Sequence, residues 1–135
     1  MDIIKWRKDY ETGIDSMDVQ HQKLIELINK LYKVIRKEES SASIKEVLNE
    51  MTKYAEQHLQ DEEAMLKTND YPDFASHSAS HQGYRDKLKT LLAESKNEED
   101  AAVKETYAFL RQWWKGHIVA EDQKYGEFLK AKGVK

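Results

Sequence analysis

The chain has 135 residues, a formal net charge of −3 and no cysteine. A chain of this length forms one domain that buries a core unaided, and the missing cysteine excludes disulfides, zinc–thiolate sites, iron–sulfur clusters and a thiol nucleophile. The interspersed charges argue against nucleic acid as a partner, and no apolar run is long enough to insert in a membrane.

The opening "MDIIKWRKDYETG" lacks the apolar stretch of a signal peptide, so a cytoplasmic location is expected. An arm over residues 1–17 leads into a first helix at about 18–37, with Asp18 as its N-cap. Leu24, Ile25, Ile28, Leu31, Tyr32 and Ile35 recur there at helical spacing. "KEESSAS" breaks the pattern, with Ser41 or Ser43 capping a second helix at about 42–67. Its stripe runs through Ile44, Val47, Leu48, Met51, Ala55, Leu59, Met65 and Leu66. "KTNDYP" is the next break, and Pro72 sits where a helix start tolerates it. The third helix, at about 72–95, carries Phe74, Tyr84, Leu88, Leu91 and Leu92. Asn97 is a cap for the fourth, at about 98–122, with Val103, Tyr107, Leu110, Trp113 and Trp114 on its stripe. A tail over 123–135 has a further turn or two of helical character, interrupted by Gly126. Four helices with short connections predict an all-α, up-down-up-down antiparallel four-helix bundle over 1–135, with an N-terminal arm and a short C-terminal helical tail.

All five histidines fall on these apolar stripes. His21 extends the first stripe. His58 and Glu62, four residues apart, share one face of the second helix. His77 and His81 lie on the third stripe, and His117 follows Trp113 and Trp114 on the fourth. A single inward histidine is usually a hydrogen-bonded core residue. Five of them with an inward glutamate make a costly core unless something satisfies them together, and a metal centre does so. In an up-down-up-down bundle all six residues fall at one end. They exceed the ligand set of one ion, and two ions call for bridging carboxylates. Glu62 is one candidate. In "HIVAED", regular helical geometry favours Glu121 as the other, whereas Asp122 reaches the site only if the helix end loosens or takes a π-type turn.

The full set is His21, then His58-x-x-x-Glu62, His77-x-x-x-His81 and His117-x-x-x-x-Asp122. Together with Trp6, Tyr10, Gly13 and Ile14 of the arm and the "DVQHQKL" run around His21, it resembles the hemerythrin family, specifically its single-domain bacterial branch. The resemblance implies a non-haem centre of two iron ions, bridged by an oxo or hydroxo group, that binds dioxygen reversibly. It assigns His77, His81 and His117 to one iron, His21 and His58 to the other, and Glu62 and Asp122 as bridges, which leaves Glu121 outside the ligand set. One coordination position is then open, on the iron with two histidines. Leu24, Leu59, Trp113 and Val119 are expected to line the oxygen pocket beside it. The family pattern is read as leucine at the position of Val119, so a changed pocket size is implied.

The implied function is oxygen transport, storage or delivery, without catalysis, with an oxygen-consuming protein as a partner. A di-iron oxidase or peroxidase is the alternative, but ferritin-like oxidases use Glu-x-x-His motifs, and the nearest match here is Asp18-x-x-His21. An oxygen or redox sensor would need an output domain, for which 135 residues leave no room. A monomer is expected, because the charged surface shows no obvious apolar patch.

Overall fold

The computed structural model describes residues 4–36, 44–94 and 100–134. The proposed caps Ser41, Ser43 and Asn97 lie outside these residues. Four long helices, α1 (Asp15–Ile35), α2 (Ile44–Thr68), α3 (Phe74–Glu94) and α4 (Asp100–His117), are followed by a π-helical turn over Ile118–Asp122 and by α5 (Gln123–Ala131). Each long helix packs on the next, and α4 closes the ring against α1. The fold is a helical bundle.

The first helix begins three residues earlier than its expected cap. Gly13 turns the chain with φ +85°, a conformation open to glycine, and α1 starts two residues later. Asp18 therefore lies in the first turn instead of capping it. Its carboxylate accepts the Thr12 N–H at 2.7 Å, the Thr12 hydroxyl at 2.8 Å and the Gly13 N–H at 3.3 Å. The side chain fastens the arm to the helix and places a negative charge at the dipole's positive end. Further back, Asn29 holds the arm by paired 2.8 Å bonds to the N–H and C=O of Ile4.

The tail also differs from its expectation. It forms a nine-residue helix that runs unbroken through Gly126. A Cβ at Gly126 would collide with the Thr12 carbonyl oxygen, so glycine lets the arm lie directly on α5. That contact presses α5 over the open end of the bundle.

Two apolar clusters fill the interior. One contains Leu24, Ile28, Leu31, Met51, Leu59, Leu110 and Trp114. The other contains Ile14, Met17, Leu66, Tyr71, Tyr125 and Leu129. The chain order shows what separates them. His21 falls between Met17 and Leu24, Glu62 between Leu59 and Leu66, and Asp122 between Ile118 and Tyr125. The histidines and acids form a polar layer sandwiched by apolar side chains. Among the described residues, no helix is long and apolar enough to cross a membrane.

Candidate metal centre

The polar layer brings together His21, His58, Glu62, His77, His81, His117 and Asp122, each at most 4 % exposed. Their ligand atoms fall into two groups that share Glu62. One is Glu62 with His77, His81 and His117; the other is His21, His58, Glu62 and Asp122. The two carboxylates divide their oxygens between the halves. Glu62 Oε1 lies 2.6 Å from His77 Nε2, 3.1 Å from His81 Nε2 and 3.5 Å from His117 Nε2. Its Oε2 lies 3.1 Å from His58 Nε2 and 3.4 Å from His21 Nε2. Asp122 Oδ1 faces His117 Nε2 at 3.0 Å and His77 Nε2 at 3.5 Å, while Oδ2 faces His21 Nε2 at 2.9 Å.

The π-turn explains how Asp122 reaches this position. The extra residue in a turn bonded from i to i+5 rotates Asp122 onto the face of His117, five positions before it, and buries it completely. Glu121 remains useful from the adjacent face: its carboxylate accepts the His117 Nδ1–H at 2.5 Å and the Ser80 hydroxyl at 2.8 Å.

The donor set fits metal ions. His81 Nε2 and His117 Nε2 approach to 3.1 Å, and with both Nδ1 protons given to Glu63 and Glu121 two lone pairs face each other, an arrangement that a shared cation relieves. His21 Nε2, His58 Nε2 and both Asp122 oxygens are buried in carboxylate–imidazole contacts of 2.9–3.1 Å that are not well-directed hydrogen bonds. Metal–ligand bonds of about 2.0–2.2 Å set neighbouring ligand atoms roughly 3 Å apart, close to the 2.6–3.5 Å between the carboxylate oxygens and the imidazole nitrogens they face.

The far side of three rings is fixed by acceptors. His58 Nδ1–H donates to Gln20 Oε1 at 2.5 Å, and the Gln20 amide is oriented by its bond to Asp61. His81 Nδ1–H donates to Glu63 at 2.9 Å, and Glu63 is held by Arg85. His117 uses Glu121. Each bond puts the proton on Nδ1 and aims the Nε2 lone pair inward, which raises ligand basicity. Tyr125 donates its hydroxyl to Glu62 Oε2 at 2.9 Å. Gln20, Glu63 and Tyr125 were not singled out from the sequence. Gln20 is adjacent to His21 and Glu63 to Glu62; the remaining information lies in how the helices register against one another.

Two expected pocket residues lie elsewhere. Val119 is 42 % exposed, because the π-turn that brings Asp122 inward rotates Val119 toward solvent. Trp113 stacks on His117 at 4.3 Å with an interplanar angle of 14°, so it covers the three-histidine half. The tryptophan beside the two-histidine half is Trp114, fully buried, 5.5 Å from the His58 ring and donating its indole N–H to the Tyr84 hydroxyl at 3.3 Å. Leu24 and Leu59 are fully buried in the same apolar cluster as Trp114.

The charges compensate strongly. Burial works against the His21 imidazolium, but Asp122 and Glu62 outweigh it and push its pKa up to about 9. Burial also opposes charge on His117, which Asp122, Glu121 and Glu62 nonetheless hold well above the usual histidine value. Burial leaves His58 lowered. Glu62, despite its burial, is held well below the usual carboxylate range by His58, His117 and His21. In metal-free protein the stability from His21 is full below pH about 6.5 and is lost as pH rises through about 9. Glu62 contributes above its unfolded pKa of about 4.3 and loses that contribution in acid. The melting temperature of metal-free protein is therefore expected to fall between pH 7 and 9.5. Metal-loaded protein should hold its melting temperature over that range, since ions require neutral imidazoles. Parallel melting curves at stepped pH check this, and a metal-free melting temperature that climbs toward pH 9.5 contradicts it.

Comparison with known proteins gives a consistent pattern. Residues 12–129 match the family described as "Hemerythrin HHE cation binding domain". The chain is 30 % identical over 124 residues to a bacteriohemerythrin of Clostridium acetobutylicum, covering 89 % of this chain and 96 % of that one. It is 29 % identical to the bacteriohemerythrin of Methylococcus capsulatus, covering 97 % and 100 % of the two chains. It is also 29 % identical over 121 residues to a myohemerythrin of Theromyzon tessulatum, covering 90 % and 89 %. A crystal structure of a leucine-to-tyrosine hemerythrin mutant superposes with a TM-score of 0.74 at 27 % identity, covering 94 % of this chain and 97 % of its own.

Proposed function

The chain belongs to the hemerythrin family, and from that premise we propose that it binds dioxygen reversibly at a pair of iron ions, for transport, storage or delivery. The observation that carries this reading is the unequal division of five histidines around Glu62, common to both ligand groups, and Asp122, whose two oxygens face both halves. His77, His81 and His117 would hold one iron and His21 and His58 the other, with Glu62 and Asp122 spanning both. Bound there, two irons would supply the electrons for a reversible association with dioxygen. With both carboxylates shared, the half with two histidines would have one protein ligand fewer and would be the half that accepts an outside ligand.

The remaining side chains serve that chemistry. Leu24, Leu59 and Trp114 exclude water beside His58 and His21. Dryness matters because water and protons favour irreversible loss of reduced oxygen over its return as dioxygen. Gln20, Glu63 and Glu121 keep the rings in one tautomer. Tyr125 occupies a lone pair of Glu62 Oε2 and fixes that carboxylate. A cytoplasmic monomer that passes oxygen to an oxygen-consuming partner is part of this reading. Its monomeric part is supported by a described surface on which Val19 and Val119 are the exposed large hydrophobics.

An oxygen electrode separates binding from turnover. Reduced, iron-loaded protein with excess electron donor should take up about one dioxygen per chain and then stop. Uptake that continues in proportion to the donor contradicts the carrier reading and supports a di-iron oxidase.

A further inference from the structure

Every ligand of the cluster is buried, yet an ion must reach it. Most approaches are closed. His58 is covered by Gln20 and Trp114, His81 by Glu63, His117 by Trp113 and Glu121, and Glu62 by Tyr125. The His77 side chain retains 3 % exposure, against 0 % for His21, His58 and His81 and 1 % for His117. It also lines a surface cleft. That cleft holds about 40 Å³ of space between the start of α3 and the π-turn, lined by Tyr71, Asp73, Ser76, His77, Glu121 and Lys124.

We propose that this cleft is the port through which a divalent cation passes from solvent to His77 and on into the cluster, a proposal that rests on the metal-centre reading above. The volume suits the task. One water needs about 10–15 Å³ of such space, so the cleft holds roughly three waters and not the full shell of a hydrated ion. A cation passing through sheds water, and carboxylate oxygens are the groups that replace it. Of the two carboxylates lining the cleft, Asp73 is exposed and Glu121 is half-buried beside His117. Lys124, also in the lining, adds an ammonium that repels the ion. Two carboxylates against one ammonium leave the passage net attractive, and single charges at so narrow a mouth control the rate. Once at His77 the ion is within reach of Glu62 Oε1, 2.6 Å from the ring nitrogen.

The test is the rate of Co²⁺ uptake by the metal-free full chain. Quenching of Trp113, whose ring lies on His117, reports the rate, and metal analysis gives the final stoichiometry. Asp73→Asn should slow uptake about threefold and Lys124→Gln should speed it by about the same factor. Ser76→Trp, which fills the mouth from an exposed position, should slow it more than either. All three should still finish at two ions per chain. Asp86→Asn, an equal loss of charge further along α3, should change nothing. Uptake at the unaltered rate in the Asp73 and Lys124 variants overturns the port. So does equal slowing by Asp86→Asn, or full-speed uptake ending below two ions. The metal-centre reading fails separately, if the unaltered chain itself never reaches two.

Discussion

Glu62→Leu is expected to abolish binding of both ions while leaving a helical chain. Glu62 is the one residue common to both ligand groups, and its two oxygens approach all five histidines. Removing a single histidine takes a donor from one half. Removing Glu62 takes a donor from each half and much of the link between them, leaving Asp122, which contacts His21, His77 and His117, as the remaining carboxylate among the ligands. Leucine has a similar volume, and its neighbours Leu59 and Leu66 are already apolar, so packing survives the change. Losing the acid also removes a strong support for protonated His21 and His117, so these rings shift toward neutrality. Metal analysis of reconstituted, desalted protein checks the outcome. Two ions per chain in this variant would falsify the bridging role. His77→Ala or His81→Ala should likewise lose stable di-metal binding, with the loss starting in the three-histidine half.

Trp114→Ala carries the second large effect, and it falls on two observables at once. The indole is fully buried between Tyr84 and His58. Truncating a buried tryptophan costs about 3–5 kcal/mol, because the space left behind does not close fully. The melting temperature should fall steeply, while Trp114→Phe should recover much of it. The cavity also opens beside His58, on the half assigned to the outside ligand. Water admitted there should accelerate irreversible oxidation of iron-loaded protein in air, by about tenfold or more for alanine and less for phenylalanine. Calorimetry reads the first effect and decay of the visible spectrum the second. A destabilised alanine variant that oxidises no faster than the parent would place Trp114 in the core alone.

The residues that were legible in the sequence share one property: their geometry is local. His58 with Glu62, and His77 with His81, are four apart on regular helices, and a regular helix fixes which face they share. The bundle follows from apolar stripes of the same period. Asp122 shows where this stops. Its inward position requires a π-turn, a change in backbone hydrogen bonding that spacing alone leaves open between Glu121 and Asp122, and the family resemblance was needed to choose. The same added residue carries Val119 outward, contrary to expectation. Trp113 and Trp114 are consecutive on one apolar stripe, and only the rotation of α4 against α2 and α3 decides which meets His117 and which meets His58. Asp18 illustrates the same limit at the other end. It has the chemistry of a cap, but the glycine turn at Gly13 starts the helix earlier, so the same carboxylate clamps the arm. Tyr125 depends on α5 folding back over the bundle, which in turn depends on the absence of a side chain at Gly126 against Thr12.

The central claim is reversible oxygen binding at two irons held by these seven side chains. It is tested most directly by the visible spectrum of anaerobically reduced, iron-loaded protein, recorded before air, after air and again after oxygen is removed under argon. A charge-transfer band that appears with air and disappears with its removal, over repeated cycles and with two irons per chain, is the predicted result. A band that forms and persists after oxygen is gone contradicts it.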